Sequence, residues 1–177
     1  MKELVAQILE FYFTKMREPK LTELKLESTG VTQEKGCCFV SFYINGEVHG
    51  SAWNVKEIHS TLTEELISNT IQALTGDKRF PPLTLEQTEK IQYRIDRISE
   101  RKIVSQKDLS SLDPVKSGII AIKRDYDKLG VILPNMSAKL LTGDDFTPVM
   151  LAKLDEKKLD DKNYILYEIK TEVETNY

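Results

Sequence analysis

Residues 37–53 read Cys-Cys-Phe-Val-Ser-Phe-Tyr-Ile-Asn-Gly-Glu-Val-His-Gly-Ser-Ala-Trp, two strand-like runs on either side of Asn45-Gly46. Asn-Gly is the strongest short-range hairpin signal, because both central residues of a tight hairpin turn need a positive φ. A two-residue turn pairs Ile44 with Glu47, Tyr43 with Val48, Phe42 with His49 and so on to Cys38 with Trp53. Side chains alternate along a strand. One face should therefore carry Cys38, Val40, Phe42 and Ile44 with Glu47, His49, Ser51 and Trp53. The other should carry Phe39, Ser41 and Tyr43 with Val48, Gly50 and Ala52. Both faces hold large apolar groups, so the hairpin belongs inside a sheet covered on both sides. Small residues in the second strand have two readings. Gly50 and Ala52 make room for a packed helix, or they let something else approach the backbone.

Outward from the hairpin, Leu4, Val5, Ile8, Leu9, Tyr12 and Met16 recur at helical spacing over Lys2–Met16, with Pro19 just beyond. Residues 20–35 are polar, contain Gly30, and read as loop. Thr61 followed by Glu64 is a capping box, Leu62, Leu66, Ile67, Ile71 and Leu74 make one helical face, and Gly76 stands at the C-cap. Thr84 and Gln87 suggest a further, short helix. Ile91, Tyr93 and Ile95 alternate with polar neighbours as a half-buried strand. The basic group Arg94, Arg97, Arg101 and Lys102, interrupted by Asp96 and Glu100, reads as a solvated strand edge. Residues 118–122 and 129–133 form another hairpin. Asp144-Asp145 reads as a cap before a helix that holds Phe146, Val149, Met150 and Leu154. Residues 164–173 close the chain as a strand. No βαβ alternation is present, so the fold class is α+β with antiparallel sheets flanked by helices.

The chain has 177 residues, 40% hydrophobic and 30% charged, with a net charge of −3. That is an ordinary globular composition for one domain, 1–177, whose lobes the sequence does not separate. The acidic balance argues against a broad nucleic-acid surface. No apolar run reaches the length of a membrane span, and no signal-peptide pattern opens the chain. The only two cysteines, Cys37 and Cys38, are adjacent and point to opposite faces of a strand. They read as free thiols in a reducing, cytoplasmic compartment and exclude a thiolate zinc site. No metal or cofactor is expected.

From Arg79-Phe-Pro-Pro-Leu-Thr84 the chain resembles the AMMECR domain family, whose prokaryotic members are called AmmeMemoRadiSam system protein A. The Gly36–Ile44 strand, Asn45-Gly46-Glu47, Asp77–Thr84, Leu112-Asp113-Pro114, Gly130–Pro134 and the closing strand all agree in order. The resemblance implies two unequal lobes with a cleft near the hairpin. The family hallmark is Leu-Arg-Gly-Cys-Ile-Gly-Thr, and Val48-His49-Gly50-Ser51-Ala52-Trp53-Asn54 stands in its place. Only the glycine survives, with Ser51 at the cysteine position and His49 at the arginine position, so thiol chemistry does not carry over. The family has no established activity. Its prokaryotic members are associated by gene neighbourhood with Memo-like and radical SAM proteins, which makes those the partners implied.

Three functions follow from these residues. The first is a binding or accessory protein that uses a groove beside the hairpin, with His49, Ser51, Trp53, Arg79 and Phe80 receiving a protein partner or small ligand. Tryptophan and arginine are the types most often found as anchors. The second is a small hydrolase-like enzyme with Ser51 or Cys38 as nucleophile and His49 as base, although no Gly-x-Ser-x-Gly elbow surrounds Ser51. The third is RNA or nucleotide binding, for which Lys78 and Arg79 are the only local support. His49 and His59 form no metal-ligand spacing.

Overall fold

The structure, a computed structural model, describes residues 1–26, 34–88, 90–136 and 139–177. Six strands are hydrogen-bonded in the order β2-β1-β3-β6-β4-β5: β1 Cys38–Ile44, β2 Glu47–Trp53, β3 Gln92–Val104, β4 Gly118–Lys123, β5 Leu129–Ile132 and β6 Tyr164–Thr175. β1 pairs antiparallel with β2 and β3, and β4 pairs antiparallel with β5 and β6. The helices are α1 Lys2–Lys15, α2 Leu62–Thr75, α3 Leu85–Thr88 and α4 Phe146–Leu154. The fold is α+β, as the sequence predicts. The chain divides into two compact units, Met1–Arg97 with Val173–Tyr177, and Ile98–Glu172.

In the first unit, α1 buries Leu4, Val5, Ile8 and Leu9 and stops at Met16, whose φ is 54°. Part of the loop expected over residues 20–35 is a short 3-10 turn, Leu21–Glu23, and residues 27–33 of it lie outside the described residues. The capping box of α2 forms as read. Thr61 Oγ1 accepts the Glu64 N–H at 3.2 Å, and the Glu64 carboxylate accepts the Thr61 N–H at 3.1 Å. Gly76 ends α2 at φ −108°, a conformation open to any residue rather than the left-handed cap expected of a glycine. The core joins α1 and α2 to Cys38, Val40 and Phe42 of β1 and to Tyr93 and Ile95 of β3. Asn176 ties the chain end to this unit, accepting the Tyr93 N–H at 2.7 Å and donating to the Ile91 carbonyl at 3.1 Å.

The hairpin turns at Asn45 (φ 53°) and Gly46 (φ 81°), as a two-residue turn with both φ positive requires. Its register begins as expected, with Ile44 opposite Glu47 and Tyr43 opposite Val48. A bulge then inserts His49, and the pairs become Phe42 with Gly50, Ser41 with Ser51, Val40 with Ala52 and Phe39 with Trp53. One extra residue moves every later side chain of β2 to the opposite face. The predicted faces are therefore corrected: Gly50 and Ala52 join Val40 and Phe42, whereas Ser51 and Trp53 join Phe39 and Ser41, away from Cys38. The cause is helix packing. A Cβ on Gly50 would run into the Ala73 carbonyl of α2, so α2 lies against the bare backbone there.

In the second unit, β4 runs between β5 and β6, with Ile120 opposite both Val131 and Tyr167. Its core gathers Ile119, Ala121, Ile132 and Leu166 against Phe146, Met150 and Leu154. Pro148 sits in the first turn of α4, where no N–H is missed. The expected cap at Asp144-Asp145 is displaced. The Asp145 carboxylate reaches back to the Leu141 and Thr142 N–H groups, both at 2.9 Å, and closes the 3-10 turn Gly143–Asp145 ahead of the helix. Residues 99–103 are exposed, as a solvated reading requires, but β3 is an interior strand of the sheet, not an edge. There Lys102 pairs with Glu168 at 2.7 Å and Lys170 with Glu100 at 2.8 Å.

Candidate functional site

Leaving α2 at Gly76, the chain passes beside β2 and places Asp77 against Ser51. The Asp77 Oδ2 accepts the Ser51 backbone N–H at 2.9 Å, so a side chain occupies a donor on the outermost strand. Asp77 also fixes Arg79. Its Oδ1 accepts the Arg79 N–H at 3.1 Å and Nε at 2.9 Å, and its Oδ2 accepts Nη2 at 2.6 Å. The same Nη2 donates to Ser51 Oγ at 2.7 Å. The Asp77 side chain is 8% exposed and that of Arg79 61%. The Arg79 guanidinium holds the Asp77 carboxyl at about 2, well below its ordinary range, with the backbone donors of Arg79 and Ser51 helping against the opposing effect of burial. Asp77 in turn raises the pKa of Arg79.

Phe80 continues the cluster. The Arg79 guanidinium stands 5.2 Å from its ring centroid, a cation–π distance. The His49 ring stacks on it at 5.7 Å and 25°. The buried Nε2 of His49 has no hydrogen-bond partner among the described residues. The bulge that shifts β2 is thus also what directs His49 to Phe80 and not to Ser51.

Of the residues expected from the sequence, the fold brings together Ser51 and Arg79, and His49 and Phe80. Trp53 stacks on Phe39 at 4.7 Å and 23°, on the sheet face that also carries Ser41. Cys38 is fully buried on the α2 face, and burial pushes its thiol up to about 12. Its carbonyl accepts from Asn69 Nδ2 at 2.9 Å.

Sequence reading missed four groups. Asp77, which organises the cluster, is local to Arg79 but 26 residues from Ser51. Its one sequence signal is an Asp two residues before an Arg, the spacing of an Asx turn. Asn54 and the fully buried Glu65 are joined at 2.6 Å, tying the end of β2 to α2, and Glu65 Oε2 has no partner among the described residues. Arg94, whose charge and neighbours suggest a solvated cation, is only 8% exposed. It grips the buried Asp96 through Nε at 2.7 Å and Nη2 at 2.6 Å. Alternation along β3 explains this pair, since residues two apart share a face.

Away from the cluster, a hollow of about 440 Å³ lies beside Pro19, Leu21 and His59, and one of about 320 Å³ beside Lys102 and Lys170. The Ser51–Asp77–Arg79 cluster lines neither. Among the described residues no three His, Cys, Asp or Glu side chains gather as a metal site, and no helix is long and apolar enough to cross a membrane.

The AMMECR1 family model matches residues 3–170. A Thermotoga maritima protein is 32% identical over 92 residues, 52% of this chain and 51% of that protein. A Clostridium acetobutylicum protein is 29% identical over 98 residues, 55% of this chain and 20% of that protein. The chain's matches thus span about half of one relative and a fifth of the other. An uncharacterised Pyrococcus horikoshii protein of known crystal structure shares the fold, with a TM-score of 0.77 at 18% identity over 97% of this chain and 87% of that one.

Proposed function

From the premise that this chain belongs to the AMMECR1 family, we propose that it is a binding or accessory protein that meets its partner through the Arg79–Phe80 surface beside the hairpin, with Ser51, His49 and Trp53 around it. One observation carries the reading. Arg79 is 61% exposed, yet Asp77 and Ser51 hold its guanidinium in a fixed position. A long side chain ordered in advance loses less entropy on binding, and its planar fork loses less again per bond formed. Phe80 beneath it supplies apolar area of the kind found at interface anchors.

The same contacts favour binding over hydrolase-like chemistry. Ser51 Oγ accepts a hydrogen bond from the Arg79 guanidinium, and the carboxylate within its reach, Asp77 at 3.5 Å, is a weak base because Arg79 holds it ionised. Cys38 lies in the core with its thiol protonated. By family analogy, a Memo-like protein and a radical SAM protein are the first partners to test. Calorimetric titration of each into the purified chain should give saturable binding with one of them. The double variant Arg79→Ala, Phe80→Ala should weaken it at least tenfold while the fold is kept. Absence of binding to both, or full affinity in the double variant, would sink the reading.

A further inference from the structure

The outward edge of the cluster is rich in donors and poor in acceptors. A guanidinium has five N–H groups. Nε and Nη2 of Arg79 are engaged with Asp77 and Ser51, whereas Nη1 has no partner among the described residues. Ser51 Oγ already accepts from Nη2 at 2.7 Å, and the Asp77 oxygen to which it can donate stands at 3.5 Å, the limit of a hydrogen bond. The hydroxyl proton is therefore weakly held beside two unengaged Nη1 protons. Asp77 balances the charge of Arg79. Lys78 is exposed and has no ion-pair partner among the described residues, so the cluster keeps one positive charge.

Resting on the surface reading above, we infer that Arg79 Nη1 and the Ser51 hydroxyl form an oxyanion site, with Lys78 supplying the net charge and Phe80 the floor. The ligand group is a carboxylate or a phosphate, either of which offers one oxygen to Nη1 and a second to the Ser51 hydroxyl. Other features are less suited. Asp77 already occupies the Ser51 N–H, which closes β2 to an incoming strand at that point. In the 320 Å³ hollow, Lys102 and Lys170 are each paired with a glutamate. The unpartnered oxygen of Glu65 is sealed in the core.

The test is an NMR titration of the Arg79 Nε–Hε signal and the Ser51 amide with sodium acetate, inorganic phosphate and sodium chloride at constant ionic strength. The wild-type chain should show saturable shifts with acetate, phosphate or both, and none with chloride. Tighter acetate binding assigns the site to carboxylates, and tighter phosphate binding to phosphates. Ser51→Ala should weaken the response several-fold. R79Q and R79K, checked for fold by their amide spectra, should weaken it at least tenfold, the lysine because it keeps the charge but loses the planar guanidinium that presents Nη1 beside Ser51. Shifts that are linear and equal for all three salts, or wild-type affinity in both Arg79 variants, would overturn the inference. A partner that binds through Arg79 and Phe80 while no anion saturates refutes this site alone and leaves the surface reading standing.

Discussion

Replacing Asp77 with alanine tests the cluster most directly. The carboxylate receives two backbone N–H groups and two guanidinium N–H groups, and its side chain is 8% exposed. Hydrogen bonds to a charged group contribute about 1.5–3 kcal/mol when buried. The guanidinium half of the pair is largely in solvent, where an ion pair contributes about 0–1 kcal/mol. The expected loss at pH 7 is therefore about 2 kcal/mol, read as the difference in urea unfolding free energy. The pH dependence follows by linkage. Asp77 is held at about 2 in the folded chain, against roughly 3.9 unfolded. Its contribution is thus fully present above about pH 4 and is lost as the pH falls toward 2. The gap between wild type and D77A should be constant from pH 7 to about pH 5 and shrink below pH 4. Asp77→Asn, which keeps an acceptor but no charge, should fall between them. A D77A variant within about 0.5 kcal/mol of wild type at pH 7, or a gap that widens on acidification, would mean that Asp77 does not hold this cluster together.

Three further outcomes follow from the packing. Gly50→Ala should cost about 3 kcal/mol or more, because the added methyl meets the α2 backbone, which cannot rotate away; thermal unfolding would check it, and near-wild-type stability would mean that α2 is not seated on β2. Cys37 and Cys38 are 3% and 0% exposed, so neither should react with an aromatic disulfide reagent in the native chain, and both should react in denaturant. Arg94→Met takes the guanidinium away from the buried Asp96 and should destabilise the chain by about 3–5 kcal/mol, whereas the double variant with Asp96→Leu should recover much of that loss in denaturant melts.

Local features are legible in the residues alone. Asn45-Gly46 sets the turn because only such residues take two positive φ values in succession. Thr61 and Glu64 start α2 because their side chains reach each other's backbone within one turn. The order of motifs from Gly36 onward points to the family whose model matches residues 3–170, and Trp53 and Arg79 stand out as anchor residue types beside a divergent signature. Tertiary structure decided everything that depends on which element lies against which. The Ala73 carbonyl demands a bare Gly50, and the bulge at His49 supplies the extra residue that places Gly50 there. That single insertion separates Ser51 from Cys38 and turns His49 toward Phe80, against the register that the turn alone implies. Arg94 shows the same limit, since its charge is written in the sequence but its burial against Asp96 comes from packing. Asp77 carries half of its role locally, through Arg79. The other half, the amide of Ser51, reaches it only because the chain leaving α2 runs along the outer side of β2. Hydrogen-bonding partners so far apart in sequence are set by chain path, and periodicity does not encode chain path.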